Sequence, residues 1–470
     1  MKKWKILYSI LFFAVCLIPS LGMLAAKTET SSENRELSKF PSFVTEEGLN
    51  VEWLPQAGDY FQDHFAFRNE LVTANALLNG KLLGTSTAQG VIQGTDGWLY
   101  YKDSLNDYLG VDLLSDRSLY NIAHTLSMMQ ENLQARGVDF LFTVAPNKNS
   151  LYPERMPYYN SLKVTENNNL ARLVPYLEKE GVAYANLYQA FQEEDEVLYH
   201  KRDSHWNNKG AAFAADILMS ALGKEHDSYE DVKYQVREDY VGDLDEMLYP
   251  LATTPEEEIY YDKTLTYAVV GEIESNFDPR ITTVNPVKDG SLVMYRDSFG
   301  NALVPFFADA YANAYFSRGV PYQLSDVDTN QADTVIVERA ERFLPDMAQS
   351  PPVLYGTSVK LEEEPEVLAK DGASDVQLLR QGEQVSITGR VDHAYLDTES
   401  RIYLRINGAA VYEAFPMDLA VGDETDDGGF CLYLPKQAVL SDGNSLEVLV
   451  EKDGGLNIVY QRELKEETDQ

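Results

Sequence analysis

The chain has 470 residues and a formal net charge of −36, from 75 acidic and 39 basic residues. Phosphate groups bind to positive surfaces, so this charge argues against nucleic acid and anionic lipid as partners. The two cysteines, Cys16 and Cys431, lie far apart in the sequence, which argues against an internal disulfide and against a cysteine-based metal site.

The N-terminal segment carries Lys2, Lys3 and Lys5, followed by an uncharged apolar stretch over residues 6–26. This stretch is long enough to span a bilayer, and the lysines favour an N-terminus held inside the cell. A cleaved signal peptide has a shorter apolar region and a clear small-x-small site, which residues 22–26 match only weakly. We therefore predict an uncleaved signal anchor over residues 1–26, with a cleaved, secreted form as the alternative. Cys16 lacks the preceding small residue that lipidation requires.

Beyond the anchor, residues 27–50 begin with a polar stretch that we interpret as a tether, and residues 51–350 alternate between helical and strand-like patterns. Such alternation predicts an α/β domain with a mostly parallel sheet and flanking helices. The pattern is lost over residues 227–285, which we interpret as an irregular insertion lining a cleft. Helices are expected at 115–135, 166–180, 209–222 and 301–311, and strands at 138–144, 182–187, 291–295, 312–316 and 333–337.

The composition changes near residue 350, after which short alternating segments are separated by glycine-rich turns. Residues 384–388, 401–406, 429–434 and 445–450 have this pattern. The spacing is typical of a β-sandwich, so residues 356–470 are predicted to form a separate domain that binds carbohydrate or is immunoglobulin-like.

Asp203 and His205 precede the third predicted helix. In an extended backbone, residues two apart point to the same side, so the carboxylate and the imidazole are expected to face one site. Asn207 and Asn208 are both good candidates for the helix N-cap. Trp206, next to His205, is a candidate for lining the substrate site. The alternative is an ordinary surface loop in which Trp206 serves only for packing.

Ser298 lies in a tight turn between the predicted strand at 291–295 and a predicted helix. There its hydroxyl would be exposed at the sheet edge. The backbone N–H groups of Ser298 and Gly300 would lie near a helix N-terminus, where an oxyanion is stabilised. The alternative is a serine that merely caps the helix.

Asn147 and Lys148 follow the first strong strand. The Asn147 amide is a candidate oxyanion donor, and Lys148 a candidate for orienting a loop or balancing a carboxylate. A simple Pro-Asn turn is the alternative. The remaining histidines have no metal-ligand spacing, and the chain has no glycine-rich phosphate loop, so neither a metal nor a cofactor is expected.

Taken in order, these segments resemble the SGNH-hydrolase-like proteins of the AlgX/AlgJ type, including the DHHW proteins of Gram-positive bacteria. The matching motifs lie at residues 33–41, 63–68, 94–100, 146–148, 203–206 and 296–299. As in that family, Asp and His precede Ser in the sequence. One departure is Arg296, which stands where the hydrolase motif Gly-Asp-Ser has glycine. A bulky residue there is expected to narrow the site or to alter how closely an acyl donor approaches.

The resemblance implies O-acetylation of a secreted or cell-surface polysaccharide, with a membrane-bound O-acyltransferase supplying acetyl groups across the bilayer. By matching position, Ser298 is the nucleophile, His205 the general base and Asp203 its orienting carboxylate. Arg318 is a candidate basic residue lining the site. An SGNH acetyl esterase, or a non-catalytic glycan-binding scaffold of an export complex, is the alternative.

Overall fold

The computed structural model describes residues 2–23, 37–45, 48–83, 90–361, 364–422, 424–440, 443–452 and 454–463. Much of the predicted tether, residues 27–36 and 46–47, lies outside these ranges. The N-terminal helix α1 (Lys2–Gly22) is long and apolar enough, by length and composition, to cross a membrane, although a signal sequence passes the same test.

The α-helices that follow α1 in the described part of the chain all lie before residue 350, in the central domain. In chain order the helices after α1 are α2 (Trp53–His64), α3 (Arg68–Leu83), α4 (Leu105–Leu109), α5 (Asp116–Ala135), α6 (Lys148–Leu151), α7 (Pro157–Asn160), α8 (Asn169–Lys179), α9 (Leu187–Gln192), α10 (Asn208–Ala221), α11 (Asp243–Leu248), α12 (Val304–Ala310), α13 (Ser325–Thr329) and α14 (Leu344–Gln349).

Two short hairpins precede the main sheet, β1 (Val44–Thr45) with β2 (Gly48–Leu49) and β3 (Val91–Gln93) with β4 (Leu99–Tyr101). The strands that follow in the central domain are β5 (Asp139–Ala145), β6 (Tyr184–Ala185), β7 (Tyr234–Tyr240), β8 (Glu256–Tyr261), β9 (Ala268–Val269), β10 (Arg280–Val284), β11 (Ser291–Tyr295), β12 (Asn313–Ser317) and β13 (Thr334–Ala340).

The main sheet has seven strands in the order β6-β5-β13-β11-β12-β10-β9. It is mixed, because the strands from β6 to β12 pair in parallel, whereas β10 and β9 add antiparallel strands at one edge. Strands β11 and β13 are buried along their whole length, as expected where helices cover both faces of a parallel sheet. One apolar core lies under α10 and α12, and the other under α5 and α8.

The segment at 227–285, predicted to be irregular, instead has regular secondary structure. Strands β7 and β8 form an antiparallel hairpin, α11 lies between them, and β9 and β10 extend the main sheet. The prediction failed because β7 is exposed on both faces, and its sequence therefore lacks the alternation of apolar and polar residues that marks a half-buried strand.

The C-terminal region is rich in strands, as predicted. It comprises β14 (Ser358–Val359), β15 (Glu366–Val367), β16 (Ala373–Gln381), β17 (Gln384–Val391), β18 (Ile402–Ile406), β19 (Ala410–Val421), β20 (Glu424–Pro435), β21 (Ser445–Lys452) and β22 (Gly455–Glu463). The first half of β19 pairs with β18 and its second half with β20, so β19 connects two groups of strands. Side chains from both groups fill a single apolar core.

Helix α5 joins the two regions through a stripe of polar side chains. The buried Arg117 guanidinium donates to the carbonyl oxygens of Asp397 at 2.8 Å and Asp427 at 3.1 Å. The hydroxyl of Ser118 donates to Asp418 at 2.6 Å. The remaining members of the stripe, with partners in the C-terminal region, are Asn121, His124 and Thr125. The interface between the two regions is therefore polar on the α5 side.

Candidate active site

Three loops at one edge of the main sheet bring the predicted site residues together. The parallel strands β5, β11 and β13 end at this edge, which is where open α/β sheets place ligands. Ser298 follows β11, and a single 3₁₀ turn, Phe299–Asn301, separates it from α12. Asp297 holds this turn, since its carboxylate accepts hydrogen bonds from the backbone N–H groups of Phe299 at 2.9 Å and Ala340 at 2.7 Å.

The Asp203 and His205 segment is a loop of bends instead of the extended end of a strand. A bridge between Tyr199 and Trp206 closes it, and Asn207 caps α10 by accepting from the Gly210 N–H at 2.8 Å. The carboxylate and the imidazole nevertheless face one another, because the loop bends back on itself. This bend is held by a hydrogen bond of 2.8 Å from the His205 backbone N–H to Asp203 Oδ1.

A continuous chain of hydrogen bonds links the three predicted catalytic side chains. His205 Nε2 lies 2.9 Å from Ser298 Oγ, and His205 Nδ1 lies 2.8 Å from Asp203 Oδ1. Asp203 is buried and Ser298 is half-buried. With Nδ1–H donated to the carboxylate, Nε2 carries the lone pair that accepts the serine proton. The geometry is that of a serine made nucleophilic by an adjacent, oriented imidazole.

The pKa values of the pair shift in opposite directions. Burial alone would lower the pKa of His205, but the hydrogen bond and charge of Asp203 more than offset burial, so that the pKa is raised. Burial alone would raise the pKa of Asp203, but the hydrogen bond and charge of His205 and the N–H of Asp243 hold it below its usual range. Asp203 is therefore ionised when His205 takes a proton.

The insertion supplies further contacts to Asp203 that the sequence did not reveal. The Tyr240 hydroxyl at the end of β7 donates to Asp203 Oδ2 at 2.9 Å, and the Asp243 backbone N–H donates to the same oxygen at 2.8 Å. Burial and the charge of Asp203 raise the pKa of Tyr240, so its hydroxyl keeps its proton and remains a donor. The Ser204 hydroxyl lies between His205 Nδ1, at 3.1 Å, and Asp243 Oδ2, at 2.6 Å.

Lys148 stabilises the loop that carries Asp203 and His205. Its buried ammonium donates to the backbone carbonyls of His200 at 3.0 Å, Lys201 at 3.1 Å and Asp203 at 2.5 Å. It also lies 5.1 Å from the centre of the Tyr100 ring. Burial lowers its pKa to about 8. Lys148 thus orients the loop, one of the two roles considered for it.

The other candidates are distributed around the site. Trp206 is buried against Phe299, with ring centres 4.9 Å apart, and also borders the cleft. Asn147 donates its backbone N–H to Glu341 at 2.7 Å; its side-chain amide is buried, has no hydrogen-bond partner among the described residues and does not border the cleft. A Cβ at Gly300 would lie 2.6 Å from Arg296 Cβ, so close packing requires glycine here. Oxyanion roles for Asn147 and Gly300 stay predictions.

Arg296 and Arg318 do not occupy the positions expected for them. Arg296 is 1% exposed and does not border the cleft, so its side chain does not narrow the site. Arg318 is exposed on the surface and does not line the cleft. Both arginines instead donate to backbone carbonyls of residues 276–278. Neither position was evident from the sequence, because the contacts join segments that are distant along the chain.

The catalytic side chains open into a cleft of about 440 Å³. The insertion forms much of its wall, as predicted. Residues around the cleft include Asp203, His205, Tyr240, Asp243, Phe277 and Ser298. Among the described residues two clusters have a spacing that could hold a metal ion, and the one at this site consists of Asp203, His205 and Asp243. Since Asp203 and His205 are already joined to each other and to Ser298, the arrangement fits proton transfer better than metal ligation.

Comparison with known proteins agrees with the family suggested by the motifs. Residues 91–275 match the family model described as "SGNH hydrolase-like domain, acetyltransferase AlgX". Asp203 and His205 lie inside the matched range and Ser298 lies beyond it. The probable alginate O-acetylase AlgJ of Pseudomonas fluorescens is 22% identical over 195 residues, which cover 37% of this chain. The match spans 43% of the length of that relative.

Two solved structures are similar to part of this chain. A DHHW family protein from Eubacterium siraeum has 18% identity and a TM-score of 0.41, over 54% of this chain and 91% of that protein. The O-acetyltransferase domain of Pseudomonas putida AlgJ has 17% identity and a TM-score of 0.35, over 55% of this chain and 92% of that domain. Residues 91–275 are thus similar to the SGNH-hydrolase-like domain of AlgX, and the similarity to AlgJ supports an AlgX/AlgJ-type family.

Proposed function

We propose that the protein is an O-acetyltransferase that modifies a secreted or cell-surface polysaccharide through an acetyl-serine intermediate on Ser298. The observation that carries the proposal is the hydrogen-bonded chain from Ser298 through His205 to Asp203. The similarity to a probable alginate O-acetylase supports acetyl transfer over other acyl chemistry.

In the first half-reaction, His205 Nε2 takes the Ser298 proton while Oγ attacks the carbonyl carbon of an acetyl donor. The tetrahedral intermediate collapses as His205 returns the proton to the leaving group, and acetyl-serine remains. In the second half-reaction, His205 deprotonates a glycan hydroxyl, which attacks the acetyl carbon. Ser298 Oγ leaves with the proton from His205, and the glycan carries the new ester. Asp203 stabilises the imidazolium in both halves.

The acetyl donor is expected to be supplied by a membrane-bound O-acyltransferase, as the family resemblance implies. Helix α1, acting as a signal anchor, would keep the domain at the outer face of the membrane, where such a partner delivers acetyl groups. The net charge of −36 keeps the soluble part away from anionic headgroups. We therefore place the protein at the cell membrane, facing outward.

The test uses the full chain, a chromogenic acetyl ester as donor and oligosaccharides as acceptors. Mass spectrometry of the Ser298 peptide is expected to find one added acetyl group, and acetylated oligosaccharide is expected among the products. If Ser298 is acetylated but the acetyl-serine is hydrolysed by water and never transferred to a glycan, the protein is an esterase. If Ser298 is never acetylated by this or other acetyl esters, the catalytic proposal fails and the scaffold alternative stands.

The rate of Ser298 acetylation is expected to rise with pH through the pKa of His205. Only the neutral imidazole accepts the serine proton, so activity is lost as pH falls and His205 becomes protonated. Because the pKa is raised from the ordinary value of 6.5, the half-maximal rate is expected above pH 6.5. A profile of kcat/KM against pH measures it, and a midpoint below 6.5 would contradict this assignment of His205.

A further inference from the structure

A short loop of the insertion, residues 274–279, lies at the mouth of the cleft and is fixed by the two arginines. Arg296 Nη2 donates to the carbonyl of Asn276 at 3.2 Å and to that of Asp278 at 2.7 Å. Arg318 donates its backbone N–H to Pro279 at 2.8 Å and a side-chain N–H to Phe277 at 3.4 Å. Successive carbonyls of the loop thus point toward the arginines, and the loop backbone is held in place.

The loop presents Phe277 to solvent at the cleft. Its side chain is 65% exposed and borders the same cleft as Ser298. Single exposed apolar side chains are common on protein surfaces, but Phe277 is distinguished by its position in the lining of the cleft that contains Ser298. The flat face of an aromatic ring is complementary to the apolar C–H face of a pyranose ring, which Phe277 can cover without a hydrogen bond.

The charges around the cleft indicate which sugars fit. Besides Asp203, the wall contains the carboxyl groups of Asp243, Glu246 and Glu258, and among the described residues that line it there is no lysine or arginine. Carboxyl oxygens accept hydrogen bonds from hydroxyl groups, whereas a wall without a lysine or arginine has no cation to pair with a carboxylate of the acceptor. The wall therefore favours an acceptor rich in hydroxyl groups over a polyuronate.

We propose that Phe277 is the stacking surface for a pyranose ring of the acceptor, that the acceptor is an uncharged glycan, and that Arg296 and Arg318 position Phe277. The proposal rests on the proposed function and adds the substrate class and the acceptor-binding residue. It also accounts for Arg296, since the side chain that replaces the usual glycine next to the Asp-Ser pair is the one that fixes the loop.

The stacking role is tested by Phe277→Ala and Phe277→Trp, with a chromogenic acetyl ester as donor and a neutral gluco-oligosaccharide as acceptor. Phe277→Ala is expected to raise the acceptor KM about tenfold more than the donor KM, whereas Phe277→Trp stays within about threefold of the parent. Tyr158→Ala is the matched control, because Tyr158 is 68% exposed and does not border the cleft. An acceptor KM for Phe277→Ala within twofold of the parent would overturn the role.

The positioning role is tested by Arg296→Lys, which keeps the charge but loses the planar fork that reaches two carbonyls. We expect the acceptor KM to rise several-fold more than the donor KM. A general loss of folded protein would not change the ratio of the two KM values. Arg318→Ala, at an exposed site, is expected to shift the same ratio in the same direction. If both variants leave the ratio unchanged, the loop is not positioned by these residues.

The acceptor class is tested by comparing a neutral gluco-oligosaccharide with an oligouronate of equal length. The neutral chain is expected to have at least a tenfold higher kcat/KM, and a preference for the oligouronate would overturn the proposal. Failure of this proposal can be distinguished from failure of the proposed function. If the proposed function is wrong, the parent protein transfers acetyl to no glycan at all. If only the present proposal is wrong, the parent protein transfers acetyl, but the Phe277 variants or the two acceptors do not differ as expected.

Discussion

Replacing Ser298 by alanine is expected to reduce acetyl release from a chromogenic ester by on the order of 10⁶-fold. The substitution removes Ser298 Oγ, the proposed carrier of the acetyl group, and the 2.9 Å contact with His205 Nε2 is lost with it. The measurement is the initial rate of chromophore release, together with the mass of the intact protein after incubation with the ester.

Ser161→Ala is the matched control, because Ser161 is exposed and, among the residues that the structure describes, its hydroxyl bonds only the nearby Tyr158 carbonyl. It is expected to keep the parent rate. The folded fraction of both variants is compared by thermal unfolding. A Ser298→Ala protein that is folded and retains more than about one hundredth of the parent rate would exclude Ser298 as the nucleophile.

Replacing Asp203 by asparagine is expected to lower the rate about 10⁴-fold with little change in shape. The buried carboxylate accepts from His205 through Oδ1 and from Tyr240 and Asp243 through Oδ2. An amide would present N–H where one of these donors points, and it would no longer stabilise the imidazolium. Since the charge of Asp203 raises the pKa of His205, the midpoint of the pH profile is also expected to move to lower pH.

Steady-state kinetics at several pH values measure both effects. Asp59→Asn is the control, since Asp59 is an exposed residue of α2 and lies outside the cleft lining. Tyr240→Phe is expected to have a smaller effect than Asp203→Asn, because it removes one of several hydrogen bonds to the carboxylate. An Asp203→Asn protein within tenfold of the parent rate would show that His205 is oriented by other groups.

The sequence was sufficient to predict the buried strands and to select three side chains that the structure joins by hydrogen bonds; their catalytic roles stay predictions. Strand β11 begins and ends at the predicted residues, because an apolar run between turn signals has few alternatives. Ser298 was identifiable from its place after β11, and His205 and Asp203 from their spacing before α10. Each of these motifs alone also fits an ordinary capped turn or surface loop. The order of several motifs along the chain was needed to predict that the three residues form one site.

The contacts made by the insertion could not be predicted. Tyr240 reaches Asp203 across 37 positions, and Arg296 reaches Asp278 across 18, from a segment whose strand pattern was hidden by exposure of both faces. Arg296 was expected to crowd the nucleophile because the comparison with Gly-Asp-Ser considers only residue size. The direction of the Arg296 side chain depends on backbone carbonyl groups of the 274–279 loop, which are in place only after that loop has folded.

The polar stripe on α5 has a consequence for how the two regions are combined. Arg117, Ser118, Asn121 and His124 bind the C-terminal region through hydrogen bonds that water could replace. Without that region, this face of the helix would remain wettable and would not create an apolar patch. We therefore expect that removal of the C-terminal region would leave a hydrogen-bonding surface on α5, which would make that region an exchangeable module.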